Sequence, residues 1–347
     1  MLHRSSRTVS SLLLASLLGT GLGATALADA RQDAPKPTTR ATFGIAPADT
    51  AGKRDSRLNL NYAVTPRATL TDHVVVQNSS EFPLTLAIYA TDGVNDSSGG
   101  FALLPSSNRP KDAGTWVSVG TPGGTGQLVV PARSEAGVPL RIAVPANATP
   151  GDHAAGVVVA LTTLKRDDKG VNVRLEQRVG ARVYFRVAGD LHPQLTIERV
   201  HTSYRNKWAP FWAGRATTTY RVRNTGNVNL AGRVSVRVTG LLGASASASE
   251  LPQLPLLFPG ASVDLKAGVA GVFPEFREKA TVTVHPLVRP GDADPDLRDY
   301  RGSGHFWAIP WVLIIVLELV AVLEYWRRRR KRAPVVPVPT RAAAVAP

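Results

Sequence analysis

Apolar and polar residues alternate with a period of two through the middle of the chain. Val74 and Val76 define one face of a predicted strand, and after a turn at residues 78–80 Leu84 and Leu86 resume that face. A period of two places successive side chains on opposite faces of a β-strand, and no long segment there has the 3.6-residue period of an amphipathic helix. Short strands between turn residues are typical of a β-sandwich.

The same plan occurs a second time further along the chain. A turn begins at Asn224, 146 positions after the turn at Asn78, and alternating valines follow it from Val234. We therefore predict an all-β fold of two tandem Ig-like β-sandwich domains, the first at residues 42–189 and the second at residues 190–288.

The clearest predicted strand pair closes the first domain. Residues 156–164 form one strand, residues 165–170 the turn and residues 171–187 the return strand. The inward face of the return strand is predicted to carry Leu175, Val179, Val183, Phe185 and Val187. The other face carries Arg174, Arg178, Arg182 and Arg186. Arginine binds phosphate and carboxylate groups well, so this face is a candidate ligand-binding surface. The alternative is a solvated outer face that resists aggregation.

Segments near both ends of the chain predict export and a membrane anchor. Residues 1–28 combine a basic start, a short apolar stretch and a small-x-small pattern, which indicates a signal peptide. Residues 306–326 predict one C-terminal transmembrane helix, and the basic tail at 327–347 predicts a cytoplasmic C-terminus. Residues 29–41 are predicted to be a disordered linker and residues 289–305 a polar stalk. We thus expect a single-pass cell-membrane protein with an extracellular N-terminal ectodomain.

Two glutamates lie within the predicted span. Glu318 is near its middle, where a carboxylate is costly unless it is protonated, paired or hydrated. Glu318 either contacts another membrane helix or is tolerated by a shorter span or a helix with one neighbour. Glu324 is expected to pair with Arg327 and Arg328, three and four residues further on.

Composition and motifs favour binding over catalysis. The chain has no cysteine, which excludes disulfides, thiolate metal sites and a cysteine nucleophile. Its net charge of +15 favours anionic partners, but the predicted extracellular location and the absence of an aromatic-basic RNA motif argue against nucleic acid. No zinc-protease, nucleophile-elbow, P-loop or dinucleotide motif is present. We expect no catalytic, metal or cofactor site; an extracellular enzyme or a transporter subunit is the minor alternative.

We make different predictions for one tryptophan and for an aromatic cluster further along the chain. Trp116 is expected to pack in the core rather than to form a ligand platform. Trp208, Phe211 and Trp212 form a cluster that either is exposed and contacts a partner or the membrane surface, or is buried and caps the second sandwich.

Four motifs follow one another in the first predicted domain: FGIAP at 43–47, LNLNYAVTPRATLTDHVVVQNSS from 58, FALLP at 101–105 and LVVPARSEAGVPLRIAVPANATPG from 128. Together they resemble the WxL-interacting protein family of Gram-positive bacterial surface proteins. Three further segments are similar to membrane-anchored members of that family from actinobacteria: RVGARVYFRVAGDLHPQL, RNTGN and the predicted span with its basic tail. The resemblance implies a peptidoglycan-binding first domain, partners that carry WxL domains and, in some members, a second domain that binds host proteins.

These observations lead to one prediction and one alternative. We predict a non-enzymatic cell-surface protein that binds peptidoglycan or an anionic wall polymer through its first domain while anchored in the membrane. The alternative is a protein–protein scaffold or adhesin that assembles a surface complex, with WxL-type or other surface proteins, by β-strand pairing.

Overall fold

The fold is seen in a computed structural model, which describes residues 40–166, 170–206, 213–249, 253–287 and 297–331. These ranges form two β-sandwiches followed by an α-helix. The all-β class and the two sandwiches predicted from the alternation are therefore confirmed. The predicted signal peptide, nearly all of the predicted linker and the end of the predicted tail lie outside the described residues.

Ten strands of the described chain build the first sandwich. They are β1 Phe43–Ala48, β2 Leu60–Val64, β3 Thr69–Asn78, β4 Leu84–Asn95, β5 Phe101–Leu103, β6 Val117–Val119, β7 Gln127–Val130, β8 Ser134–Ala143, β9 Gly151–Arg166 and β10 Asn172–Val187. One sheet has the order β1-β3-β8-β6, and the other has the order β2-β10-β9-β4-β5 with β7 also paired to β4. Alternate valines, leucines and isoleucines of the two sheets meet in one core, which also contains Trp116 as expected.

Eight strands of the described chain build the second sandwich. They are β11 Leu195–Arg205, β12 Gly214–Asn224, β13 Leu230–Thr239, β14 Ser245–Ser247, β15 Gln253–Leu257, β16 Ser262–Val272, β17 Phe276–Leu287 and β18 Tyr300–Ala308. One sheet has the order β11-β12-β16, and the other has the order β14-β13-β17-β18 with β15 also paired to β13. Its core is separate from that of the first sandwich.

Asn78 and Asn224, the two residues that suggested a repeat, make equivalent hydrogen bonds. Each side-chain amide donates to the carbonyl four residues later and to the last residue of a neighbouring strand, Val130 or Leu257. Each Oδ1 accepts the backbone N–H two residues later. Both asparagines are buried, so their amides satisfy backbone groups that water does not reach.

The C-terminal region differs from the sequence prediction. Strand β18 includes residues assigned to the stalk and to the start of the membrane helix, because Phe306 and Ala308 alternate into the core of the second sandwich. The helix α1, Trp311–Lys331, begins after Pro310, which disfavours helical geometry at the residue before it. Two glutamates, four arginines and a lysine are among its 21 residues. Within the described ranges, no helix combines the length and apolarity needed to cross a membrane, so the predicted span is not found.

Candidate functional site

Strands β9 and β10, the last two of the first sandwich, form one long antiparallel hairpin. Their register is unbroken from Gly151 opposite Val187 to Arg166 opposite Asn172. Each strand has 16 residues, which span roughly 50 Å at about 3.3 Å per residue. The predicted hairpin is confirmed, and its first strand starts at Gly151, earlier than the predicted residue 156.

Strand β10 has a neighbour along only part of its outer edge. Strand β2 pairs with it from Val183 to Val187. Over residues 172–182, which we call the open edge, no strand of the described ranges pairs with that side of β10. Along an antiparallel strand, every second residue directs both its N–H and its C=O to the same side. The open edge therefore presents a row of backbone donors and acceptors to another strand.

The core-facing side of β10 changes from buried to exposed along its length. Val183, Phe185 and Val187 are buried, as predicted. Leu175 and Val179 were predicted to point into the core, but they are 40% and 39% exposed. That prediction is wrong because the hairpin extends beyond the core, whose buried cluster includes only the second half of β10.

Three exposed residues on this side form an apolar stripe beside the open edge. Val173, Leu175 and Val179 alternate along the strand, and Val173 is 44% exposed. They belong to the face that becomes the core nearer the base of the hairpin. A long strand edge with exposed apolar side chains is a surface to which another strand can add, because pairing satisfies the backbone and covers the side chains.

The opposite face of β10 is partly covered by β5 and the residue after it. Arg178 donates a hydrogen bond from Nη1 to the carbonyl of Leu104 at 2.8 Å. The guanidinium of Arg182 lies 4.9 Å from the ring centre of Phe101, in a cation–π contact. These arginines were predicted to line an exposed basic face. Arg174, Arg178 and Arg182 are exposed, and the last two also have these contacts within the chain.

Arg186, the fourth arginine of that face, pairs with Asp152, the residue that connects the hairpin to the second sandwich. Its Nε lies 2.6 Å from Oδ1 of Asp152, and the side chains of the two residues are 19% and 4% exposed. Asp152 also accepts the backbone N–H of Asn229 at 2.7 Å, and its own N–H donates to the carbonyl of Asn227. A buried carboxylate needs such partners. Arg186 therefore holds the base of the hairpin, and its predicted role with an external ligand stays a prediction.

Other candidate residues have different outcomes. Trp208, Phe211 and Trp212 lie outside the described residues. Glu318 is exposed on α1, and its contact with a second membrane helix stays a prediction that depends on such a span. Glu324 pairs with Arg327 at 3.1 Å, as predicted. Among the described residues, no group of three histidine, aspartate or glutamate side chains is placed to hold a metal ion.

The sequence analysis did not find the contact between β5 and the hairpin. Leu103 packs against Gly156 of β9 and Gly180 of β10, and a Cβ at either glycine would clash with its side chain. Glycine within an otherwise apolar strand signals the close approach of another group, and this signal was present in both strands.

Comparison with known proteins adds little to this geometry. No protein-family model and no curated protein matches the chain. The solved structures that it resembles include the class 5 fimbriae chaperone CfaA, at 12% identity and a TM-score of 0.35, covering 78% of this chain and 100% of that one. The chaperone–tip adhesin complex CsuC–CsuE of Acinetobacter baumannii has 10% identity and a TM-score of 0.33, covering 71% and 97%. A family 123 glycoside hydrolase from Clostridium perfringens has 14% identity and a TM-score of 0.28, covering 42% of this chain and 27% of that chain. Likenesses of this strength do not indicate what this chain binds.

Proposed function

We propose that this chain is a non-enzymatic binding protein that holds a partner by adding the partner's β-strand to the open edge of β10. One observation carries the proposal: residues 172–182 form a regular strand with an edge that no other described strand pairs and an apolar stripe beside it. Backbone hydrogen bonds supply affinity in such complexes, and alternate side chains supply specificity. The protein is then a scaffold for a surface complex.

The base of the hairpin is suited to hold the open edge in place. Arg186 and Asp152 form an ion pair at the junction with the second sandwich, and β2 pairs with the adjacent residues 183–187. A binding strand that is already ordered loses less conformational entropy when its partner binds. The tip projects from this fixed base with its backbone already extended.

A wall ligand is the competing proposal. Peptidoglycan or an anionic wall polymer would contact Arg174, Arg178 and Arg182, which are exposed, more readily than Arg186, which is half-buried against Asp152. The resemblance to the WxL-interacting family favours this ligand. Exposed charge pairs are weak and screened by salt, so this mode of binding is salt-sensitive, whereas strand addition is much less so.

Two double variants separate the proposals. Leu175→Ser with Val179→Ser removes the apolar stripe, and Arg174→Ser with Arg178→Ser removes the exposed positive charge. The probes are a synthetic peptide of alternating valine and threonine and purified cell-wall sacculi, with and without their anionic polymers. Amide hydrogen exchange of residues 172–182 reports strand addition, and co-sedimentation reports wall binding.

Strand addition predicts that the peptide slows exchange along the open edge of the wild type and of the arginine variant, in low and high salt. It also predicts that the stripe variant loses this protection. The proposal is wrong if the peptide leaves exchange of this edge unchanged in wild-type chain that is monomeric at the concentration used. Retention on sacculi that disappears in high salt and in the arginine variant would support the wall ligand instead.

A further inference from the structure

The side chains of the open edge are arranged in pairs about its middle residue. Gln177 is the middle residue of the open edge, which runs from residue 172 to residue 182. Glu176 precedes it and Arg178 follows it, with Leu175 and Val179 one step further out. The sequence around Gln177 is therefore acidic on one side and basic on the other, with an apolar residue at each flank.

This arrangement is complementary to a second copy of itself. When two identical strands pair in antiparallel fashion about a twofold axis at Gln177, Glu176 of each copy stands opposite Arg178 of the other. Leu175 stands opposite Val179 in the same way. Opposite charges and apolar residues that face each other across two strands stabilise the pair. Both charged side chains are exposed and lie on the opposite face from the apolar stripe. Each makes one hydrogen bond within the chain, Glu176 from the hydroxyl of Ser106 and Arg178 to the carbonyl of Leu104, and a carboxylate or guanidinium has further sites for a partner across the axis.

The length of the open edge is also compatible with a twofold axis at Gln177. Pairing over residues 172–182 of both copies uses the whole stretch that β2 leaves unpaired, and it ends where β2 begins at the level of Val183. The pairing joins the two β9–β10 hairpins into one continuous sheet and covers both open edges. A twofold interface of this kind is closed, so assembly stops at two copies.

We infer that the partner strand at the open edge is β10 of a second copy of this chain, paired antiparallel with Gln177 opposite Gln177. The inference rests on the proposed strand addition and names its partner. Strand addition with a different partner would leave the open edge functional but would not require the charge symmetry about Gln177.

Charge reversal tests the register. In Glu176→Arg, every copy has two arginines at positions 176 and 178, and in Arg178→Glu every copy has two glutamates there. Each variant alone places like charges opposite each other twice, which raises the dimer dissociation constant at least about tenfold. The double variant Glu176→Arg/Arg178→Glu restores opposite charges and the wild-type constant. An equimolar mixture of the two single variants forms a mixed dimer, because every facing pair is then opposite in charge.

A cysteine placed on the axis tests the same register covalently. The chain has no cysteine, so Gln177→Cys introduces a unique thiol. Directly opposed residues of antiparallel strands have Cα atoms about 4.5–5.5 Å apart, within the range of a disulfide. Mild oxidation is expected to give a covalent dimer. The matched control Arg174→Cys lies three residues off the axis, so its two copies are roughly 20 Å apart and do not cross-link.

The measurements use the full-length chain, with sedimentation equilibrium for mass and non-reducing gels for cross-links. A wild type that stays monomeric at every concentration, or single variants that dimerise as well as the wild type, would overturn the inference. Equal cross-linking of Arg174→Cys and Gln177→Cys would also overturn it. The alternating peptide keeps the two proposals distinguishable. Protection of residues 172–182 by the peptide in a monomeric chain leaves strand addition standing and removes only the second copy, whereas no protection removes both.

Discussion

The two sandwiches end in equivalent hairpins whose core-facing sides are covered to different extents. In each, a central strand is followed in its sheet by a hairpin: β4 by β9 and β10, and β13 by β17 and β18. The core-facing side of β18 is approached closely by β11, since a Cβ at Gly302 would lie 2.7 Å from Ile197 and one at Gly304 would clash with the carbonyl of Val200. On the core-facing side of β10, Val173, Leu175 and Val179 are instead exposed.

The difference shows how one plan gives a covered core-facing side and an exposed one. Two glycines on β18 remove the side chains that would keep β11 away, so another strand of the same domain packs against that face. Strand β10 instead carries Arg174, Glu176 and Arg178 along its exposed part. Charged side chains on an edge strand prevent indiscriminate pairing. The open edge is therefore protected against most strands and remains available to a complementary one.

The largest expected effect is the difference in stability lost when an arginine is removed at the base of the β9–β10 hairpin and at its tip. Arg186→Ala leaves the buried carboxylate of Asp152 without its cation, and breaking a buried ion pair in this way costs about 3–5 kcal/mol of the free energy of unfolding. The matched change at the exposed tip, Arg174→Ala, is expected to cost less than about 0.5 kcal/mol. Urea unfolding of both variants measures the difference. Equal losses would show that the base and the tip are not distinct.

The next effect tests the contact between β11 and β18. Gly304→Ala introduces a methyl group against the carbonyl of Val200, and such overpacking typically costs about 1–3 kcal/mol. Gly268→Ala is the control, because β16 leaves open space around that glycine and its backbone angle is ordinary. Its stability is expected to stay within about 0.5 kcal/mol of the wild type. Thermal unfolding followed by circular dichroism compares the two. A neutral Gly304→Ala would mean that β11 does not pack tightly against β18.

Local sequence patterns predicted the positions of the strands well, but they predicted less well which residues of a strand are buried. Alternation correctly indicated the β9–β10 hairpin, and the Asn78–Asn224 spacing correctly indicated two equivalent turns. Alternation reports which side chains share a face, but it does not report how far the facing sheet extends. That is why Leu175 and Val179 were assigned to the core although they are exposed.

Contacts between distant segments were the main omission. Arg178 bonds to Leu104, 74 residues earlier in the chain, and no local pattern connects the two.

The C-terminal prediction failed for a different reason. The continuous apolar run from residue 306 to residue 326 merged Phe306 and Ala308, which alternate as a strand, with the helix that starts at Trp311. A test for period-two alternation at the start of the segment separates the two elements.

A third prediction concerns the buried asparagine that each sandwich has at an equivalent turn. Asn78→Ala removes an amide that donates to three buried or partly buried carbonyls, and Asn224→Ala removes one that donates to two. A buried acceptor that loses its donor costs about 1–3 kcal/mol, so both variants are expected to lose stability by similar amounts. Chemical unfolding of each variant, with Asn147→Ala at an exposed position as control, tests the equivalence. A loss confined to one variant would show that the two turns differ in energy despite their matching hydrogen bonds.

The smallest expected effect compares a histidine on each hairpin. His153 of β9 lies 2.8 Å from Asp112 and 2.9 Å from the carbonyl of Thr149, so both ring nitrogens face acceptors. Burial of His153 opposes its charge, but the hydrogen bonds to Asp112 and to Thr149 outweigh burial and raise the pKa of the imidazole. The counterpart on β17, His285, faces Asp299 at 2.7 Å with both side chains more than 40% exposed.

The raised pKa sets the direction of the pH dependence. A group whose pKa is higher in the folded state stabilises the fold below its unfolded pKa of about 6.5, and this contribution is lost as the pH rises through the folded value. Asp112→Asn is therefore expected to lower the free energy of unfolding at pH 5 and to have little effect at pH 8. Because Asp112 is half exposed, the loss is at most about 1 kcal/mol. Asp299→Asn is the matched control with a smaller effect at both pH values. A loss for Asp112→Asn that is larger at pH 8 than at pH 5 would contradict a charged His153.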